Sequence, residues 1–327
     1  MALTQIEPQS AYARDAPWIG IGVRGAWKHW QDALVDAKLD FEVTPYPAKV
    51  ELSNPLAFGT HAAGLTMLEV VPGVQVNVDN NNRILGCVSS QYGIIQNKDA
   101  FSLLQPLLDD GAIITNAGMT EQGLCFMIAV WETTDILGEE WNYNIMCTNS
   151  FNSQFPCALI MVPTRIICQN MYRKVLKQND AMLHIRHMSL APKRIEEAKL
   201  ATSKCMTYMD SFNDVINQLS DGVMSTGDIQ KLIEIIFPMP PKHAERYESS
   251  KARVLMQREE FVDSYILSPT IARWRDKPVG FLHAYYDYLS HRGQTKNMPG
   301  DWSNRRLSTL VSGDAVNTNV VNAIKNL

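Results

Sequence analysis

The segment from Ala158 to Ala198 constrains the fold of this chain more than any other part of its sequence. It begins with the apolar run ALIMVPT, which is typical of a buried β-strand. Residues Arg165 to Lys177 then place apolar side chains at helical spacing among cations, and Pro192 suits the first turn of a further helix. The segment therefore predicts a strand, a basic helix and the start of a second basic helix in close succession.

The residues before this segment predict a β-meander. Two short strands between Val74 and Val88 flank the turn DNNNR, where Asn and Asp tolerate left-handed backbone conformations. Apolar strands at Ala112–Asn116 and Leu124–Trp131 are joined by GMTEQG, and Tyr143–Thr148 is expected to pair with Cys157–Val162 across NSFNSQF. Successive hairpins of this kind indicate antiparallel pairing.

Helical spacing appears twice before the meander ends and dominates after it. Helices are predicted at Ala26–Lys38 and at Lys98–Asp109, the second closed by Gly111. Later helices are predicted at Pro192–Leu219, Thr226–Phe237, Ala244–Leu267 and Phe281–Arg292. The fold class is therefore predicted as α+β, an antiparallel β-meander of hairpins backed by a long basic helix. We expect residues 1–190 to form an α+β core domain and residues 191–327 to form a helical portion packed on it.

Composition limits the class of protein. A chain of 327 residues with 46% apolar content can bury a full core. It contains no uncharged apolar run of the roughly eighteen residues that a membrane span needs, and its first residues lack the apolar centre of a signal peptide. Six cysteines without a CxxC pair are expected to be reduced core residues. These features predict a cytoplasmic protein that does not enter a membrane.

Several blocks of the sequence resemble those of one family. TRIICQNMYRKVL followed by IRHMSLAPKRIEEA is similar to the central signature of the phage/plasmid-like proteins, domain-of-unknown-function family nine-three-two. PWIGIG, RILGCVSSQYGIIQN and TNAGMTEQGLCF resemble its earlier blocks, and GFLHAYYDYLSHR resembles its closing helix. The resemblance implies relatives encoded by phages, plasmids and integrated elements. It brings no established activity to these residues.

The charges are distributed unevenly along the chain. The net charge is −4, but residues 1–160 hold seven Lys or Arg against seventeen Asp or Glu, whereas the remainder holds 23 against 17. Such asymmetry points to a surface that binds a polyanion, or to self-association steered by charge.

The basic segment supplies the best candidate site. Cations at repeated spacing suit phosphates, and a tyrosine among them can stack on an unpaired base. The candidate nucleic-acid-binding residues are Arg165, Tyr172, Arg173, Lys174, Lys177, Arg186, Lys193 and Arg194. The alternative is a solvated helix face whose cations pair with the acidic N-terminal half.

Another mixture of cations and aromatic residues lies further along the chain. This second basic patch consists of Arg273, Trp274, Arg275 and Lys277. A core anchor at a helix end is the alternative role for Trp274.

Familiar catalytic motifs are missing from the sequence. It has no GxxxxGK[ST] loop, no HExxH and no GxSxG. His184 and His187 lack a CxxC partner for zinc, so a polar contact of the Arg186–His187 pair in a turn is the favoured interpretation. The acidic pairs Asp109/Asp110 and Glu139/Glu140 would bind a metal only if the fold brought carboxylates together. We therefore nominate no catalytic residue, metal site or cofactor, and favour a binding protein over an enzyme.

The favoured hypothesis is a nucleic-acid-binding protein. A β-meander followed by a basic helix is similar in outline to the single-strand annealing proteins of phage recombination, of the Red-beta type. Such proteins hold single-stranded DNA without catalytic residues and assemble into homo-oligomers. The alternatives are a metal-dependent enzyme that processes nucleic acid and a counter-defence protein, encoded by a mobile element, whose acidic half imitates DNA.

Overall fold

The computed structural model describes residues 17–52, 67–165, 181–187, 202–243, 246–288 and 315–326. Within these ranges the chain has the mixed α+β fold that the sequence predicts. The strands are β1 Val23–Trp27, β2 Val43–Leu52, β3 Met67–Asp79, β4 Ile84–Ser89, β5 Ile113–Met119, β6 Cys125–Ile136, β7 Glu139–Asn149, β8 Cys157–Arg165 and β9 Ala181–Ile185. The α-helices are α1 Trp30–Asp36, α2 Asn97–Phe101, α3 Gln105–Asp109, α4 Thr202–Asp221, α5 Thr226–Ile236, α6 Tyr247–Leu267, α7 Pro278–Asp287 and α8 Ala315–Lys325.

Six strands form one antiparallel sheet in the order β1-β5-β6-β7-β8-β9. Its centre is the meander β6-β7-β8, in which Cys147 of β7 lies opposite Met127 on one side and opposite Leu159 on the other. The turn between β6 and β7 is Leu137–Gly138, whose φ angles of 57° and 74° are those of a type I′ hairpin. This turn sets the register of β6 against β7 at the hairpin end, where Ile136 lies opposite Glu139.

Both faces of this sheet are covered by apolar side chains. Met127, Tyr143 and Met161 belong to the larger cluster, which the sheet shares with the helices. Phe126 and Ile160, on the opposite face, belong to a second cluster. Because both faces are covered, every residue of β8 is buried. This explains why that strand appears in the sequence as an unbroken apolar run rather than as an alternating one.

The remaining three strands form a small antiparallel sheet in the order β2-β3-β4. Strands β3 and β4 are the hairpin predicted around DNNNR, and Asn82 in its turn has a φ of 62°. The Asp79 carboxylate accepts hydrogen bonds from the backbone N–H groups of Asn81 and Arg83, which closes the turn. The hairpin turn predicted at DNNNR is confirmed by this pairing and these contacts.

The C-terminal helices share the larger apolar cluster with the sheet. The Phe212 ring of α4 contacts the Trp141 and Tyr143 rings of β7, with centroid distances of 5.5 and 6.1 Å. The Tyr143 hydroxyl also donates a hydrogen bond to the Asn213 side chain. These contacts place the helical part directly against the meander. The domain boundary expected at residue 190 stays a prediction.

Three predicted elements differ from the observed ones. Trp27 belongs to β1, where it pairs with Ile114, so the helix predicted from Ala26 begins at Trp30. The helix predicted over Lys98–Asp109 is divided into α2, a 3-10 turn and α3. Pro106 explains this division because it has no N–H to continue the helical hydrogen bonds.

The third difference concerns the basic helix. Strand β8 continues through Arg165, so no helix begins at that residue. The remainder of the predicted basic helix, residues 166–180, lies outside the described ranges.

Candidate functional site

Strand β9 connects the two parts of the basic segment. It is the last strand of the large sheet, and its Leu183 lies opposite Leu159 of β8. Residues 166–180 lead into β9 and residues 188–201 follow it, and we call these two stretches the basic connections. The cations of both basic connections therefore lie in sequence on either side of one strand. Six candidate residues lie on these connections, outside the described ranges: Tyr172, Arg173, Lys174, Lys177, Lys193 and Arg194. Of the eight candidates the structure thus describes Arg165 and Arg186.

Arg165 is in the interior and not on the surface. Its side chain is 0% exposed. Its Nε and Nη2 atoms donate to the two carboxylate oxygens of Glu139 at 2.7 and 2.8 Å, and Nη2 also donates to the Thr270 carbonyl at 2.8 Å. A bidentate pair of this kind fixes both side chains. The prediction that Arg165 offers a surface cation to phosphate is therefore wrong for this structure, because the guanidinium is buried and bonded within the protein.

Glu139 reaches Arg165 through the local geometry of the hairpin. It is the first residue of β7 after the type I′ turn, and it lies two residues before Trp141, which pairs with Arg165 across the strands. A second cation, Arg273, approaches the same carboxylate at 3.0 Å. Glu139, one member of an acidic pair that could have bound a metal, is instead the acceptor for two arginines.

The second basic patch has mainly structural contacts. The Arg273 guanidinium donates to the Leu137 carbonyl and lies 4.6 Å from the centroid of the Trp274 ring. Lys277 donates from Nζ to the Ser220 carbonyl at the end of α4. The neighbouring His283 is buried, and its pKa is held well below the ordinary value first by burial and then by the positive charges of Arg165 and Arg273. The role of Trp274 as a core anchor agrees with the packing of its ring against the larger apolar cluster and with the hydrogen bond that its indole N–H donates to Glu139.

Arg186 and His187 follow β9 directly. The Arg186 side chain is exposed. The His187 ring stacks on Tyr92, with ring centroids 4.7 Å apart and planes at 10°. The Gly93 N–H donates to the His187 carbonyl, and the Nδ1 atom of His187 lies 3.3 Å from the Gly93 carbonyl oxygen. The polar contact predicted for the Arg186–His187 pair is thus present, made by His187 with a segment far away in sequence.

The surroundings of His187 keep its ring neutral. Burial lowers the pKa of the imidazole to about 4, against a smaller opposing effect of the hydrogen bond to Gly93. A neutral ring that donates from Nδ1 to a carbonyl leaves Nε2 as an acceptor. That atom is buried and has no hydrogen-bond partner among the residues that the structure describes. The residue therefore acts as an anchor for the chain after β9, and Arg186 is held beside it.

Buried asparagines anchor the segment that contains Tyr92. Asn149 of β7 donates to the Ile95 carbonyl and to the Asn97 side chain at 2.9 and 3.0 Å. Asn97 in turn donates to the Leu39 carbonyl at 3.0 Å. Sequence reasoning missed this group, although an Asn within an apolar strand is itself a sign of a specific buried partner.

The cysteines near these asparagines are unreactive by their environment. Cys125, Cys147 and Cys157 are buried free thiols on the meander. Burial raises the pKa of Cys125 and of Cys157 to about 12 and raises that of Cys147 as well. The expectation of reduced core thiols is confirmed for these three, whereas Cys87 is a free but exposed thiol.

Other candidate ligands do not meet in the part of the chain that the structure describes. No three His, Cys, Asp or Glu side chains there are placed to hold a metal ion. Asp109 accepts a hydrogen bond from Gln105, and Asp110 accepts one from the Trp131 indole. His184 is exposed on β9. None of the helices described is both long and apolar enough to cross a bilayer.

Comparison with protein families gives one match. The family model with the description Domain of unknown function (DUF932) matches residues 84–311, more than two thirds of the chain. No curated protein and no solved structure matches the chain. The matched range includes the Glu139 and His187 contacts and both basic connections, whereas β1, β2 and β3 precede it. The family resemblance read from the sequence blocks is confirmed, and the origin in phages or plasmids stays a prediction.

Proposed function

We propose that this chain, which belongs to the family sharing this domain of unknown function, is a nucleic-acid-binding protein that holds single strands with the cations flanking β9. The observation that carries the proposal is the attachment of two basic connections to one edge strand. Lys177 precedes Ala181 by four residues, Arg186 follows Ile185 directly, and Lys193 and Arg194 follow soon after. Successive phosphates are bound by cations distributed in this way.

The anchors on either side of β9 support the proposal. Arg165 is held on Glu139 just before the first basic connection, and His187 is held on Gly93 just before the second. Anchored ends limit the conformations open to the cations between them, which lowers the entropy lost on binding. The buried contacts therefore suit a supporting role, while exposed Arg186 and the cations of the connections make the contacts with phosphate.

The arrangement of elements also supports this function by analogy. The meander β6-β7-β8 followed by a basic connection is similar in outline to single-strand annealing proteins, although a fold alone does not determine a function. We extend the proposal to annealing of complementary strands by a cytoplasmic homo-oligomer, encoded by a mobile element. Annealing requires no catalytic residue, because the bases pair once the backbones are held.

The test compares two variants that lose the same charge. One replaces Arg173, Lys174 and Lys177 with Ala, and the control replaces the exposed cations Lys231, Lys242 and Arg253 with Ala. Fluorescence anisotropy of a labelled single-stranded oligonucleotide measures affinity. We expect the first variant to bind at least tenfold more weakly for every oligonucleotide sequence, and the control to bind like wild type.

The alternative functions give other results in the same experiment. Equal affinities of wild type and the first variant, with both folded, would overturn the site. Cleavage of the oligonucleotide that depends on magnesium would indicate the enzyme, and absence of DNA binding would favour a protein partner. Tyr172→Ala should lower affinity by about 1–3 kcal/mol if the ring stacks on a base.

A further inference from the structure

One pair of stacked aromatic rings lies at the protein surface, next to the basic segment. The rings of Tyr92 and His187 have planes at 10° and centroids 4.7 Å apart, which is typical of an offset stack, and both residues are partly exposed. Every other ring pair formed between described residues lies in the interior, as the pairs of Phe212 with Trp141 and Tyr143 do. Of these ring pairs, the Tyr92–His187 pair is therefore the one that a molecule in solution can reach.

Hydrogen bonds hold both rings of the pair in place. The Tyr92 hydroxyl donates to the Ser150 carbonyl at 2.8 Å, and the Tyr92 carbonyl accepts from the Gln75 side chain at 3.1 Å. His187 is joined to Gly93 through its backbone carbonyl and through its Nδ1 atom. Because the rings are already ordered, the addition of a further ring to the stack costs the protein little conformational entropy.

The ring pair adjoins the cations of the proposed site. Arg186 is exposed and directly precedes His187, and the second basic connection directly follows it. Burial lowers the pKa of the imidazole to about 4, so the ring pair adds no charge of its own at neutral pH. The surface thus combines a flat, uncharged stack with exposed positive charge. Proteins that bind single strands use the same two features, an aromatic ring for the base and a cation for the phosphate.

We infer that the Tyr92–His187 ring pair binds an unpaired base of the single strand. This inference rests on the proposed function and adds to it a group that distinguishes single strands from duplexes. Cations bind the phosphates of both forms. The bases of a duplex are already paired and stacked on one another, so a single strand is the form that can place a base on the protein rings. Stacking also makes this preference largely independent of the sequence of the strand.

The size of the expected effect follows from the strength of one stacked base. A base stacked on an aromatic side chain contributes about 1–3 kcal/mol, which corresponds to roughly 5- to 150-fold in affinity. Loss of the Tyr92 ring removes no charge, so the dependence of affinity on salt should stay unchanged. A purely structural role would have another consequence, because displaced cations would weaken the binding of any polyanion, with or without bases.

The test compares two labelled oligonucleotides with equal numbers of phosphates, one made of thymidine and one made of abasic sugars. Fluorescence anisotropy measures the affinity of each strand. We expect Tyr92→Leu to bind the thymidine strand about tenfold more weakly than wild type, and to bind the abasic strand like wild type. Tyr92→Phe keeps the ring and should bind both strands like wild type. Tyr46→Leu is the control and should also do so, since Tyr46 is a 53% exposed tyrosine on β2 of the small sheet.

Each outcome of this comparison decides between the two proposals. If Tyr92→Leu binds both strands more weakly by the same factor, or binds both like wild type, no base stacks on the ring pair; the inference is then overturned and the proposed function is retained. If wild type binds neither strand, the proposed function is overturned and the inference with it.

A second measurement does not depend on the folding of a variant. A strand that carries iodouracil is cross-linked to wild type by light, and the attached peptides are identified by mass spectrometry. We expect attachment at Tyr92 or His187, because stacking places the halogenated base against these rings. Attachment only at other residues would contradict the inference.

Discussion

Replacement of Glu139 by Gln tests the buried ion pair that joins the meander to the C-terminal helices. The substitution keeps the size of the side chain and removes its negative charge. In the wild type this carboxylate accepts both hydrogen bonds from the Arg165 guanidinium, and it is also the partner of Arg273. The Glu139→Gln variant would deprive a fully buried guanidinium of the negative charge of this carboxylate.

The expected loss of stability follows from that burial. Removal of one partner from a buried ion pair costs about 3–5 kcal/mol, because the remaining charge stays out of water without compensation. The amide oxygen of Gln can still accept one hydrogen bond, and the Thr270 carbonyl still accepts another from Arg165. We therefore expect Glu139→Gln to lower the free energy of unfolding by about 3 kcal/mol, a large part of the stability of an ordinary domain.

Urea unfolding, followed by far-ultraviolet circular dichroism, measures this loss. Glu140→Gln is the matched control, because it removes the same charge from the neighbouring exposed residue; it should change stability by less than about 0.5 kcal/mol. The double variant Glu139→Gln, Arg165→Met should be more stable than Glu139→Gln alone, since it also removes the uncompensated charge. Equal stabilities of Glu139→Gln, Glu140→Gln and wild type would refute the reasoning.

Two further predictions concern titratable groups. A thiol reagent applied to the native protein should modify the exposed Cys87 rapidly, and it should leave the buried Cys125, Cys147 and Cys157 unmodified until the chain unfolds. Peptide mapping by mass spectrometry would show which thiols have reacted. Modification of the three buried thiols at the rate of Cys87 would contradict their burial. Burial holds the pKa of His187 at about 4 in the folded chain, against 6.5 for the free side chain. The unfolded state therefore binds more protons between these two pH values, and the free energy of unfolding falls as the pH drops from 6.5 to 4. The His187 imidazole should contribute roughly 2–3 kcal/mol to this loss of stability. The free energy of urea unfolding should therefore depend less steeply on pH in the His187→Phe variant. An unchanged pH dependence in that variant would contradict the low pKa of His187.

Local sequence signals predicted much of the fold. The turn around Asn82 and the helix end at Gly111 were predicted from residues that tolerate positive φ, and both have it, at 62° and 97°. The strands of the meander were predicted from their apolar runs. These signals involve neighbouring residues only, so they do not require knowledge of the rest of the chain.

Elements that depend on distant partners were not predicted. Strand β9 has only five residues, and its strand conformation depends on pairing with β8. The local turn at Leu137–Gly138 was missed for another reason: type I′ turns favour Asn or Asp before Gly, and a leucine rarely adopts positive φ. The length of a short segment such as β9 and the strand propensity of its residues are too weak to predict a strand without its partner.

The candidate site could be predicted only in part. Glu139 and Arg165 are 26 residues apart and meet because β7 pairs with β8, so charge pattern alone cannot distinguish this buried arginine from a surface cation. His187 and Tyr92 come from two of the sequence blocks that carry the family resemblance, and the fold brings them into contact. The sequence located the basic segment, whereas its anchors required the structure.

Binding of wild-type protein to a labelled single-stranded oligonucleotide across a salt series tests the proposed function most directly. If about five cations around β9 contact phosphates, the logarithm of the affinity should fall with the logarithm of the salt concentration with a slope of about −3.5. The oligonucleotide should remain intact with and without magnesium. No binding at the lowest salt concentration would contradict the account.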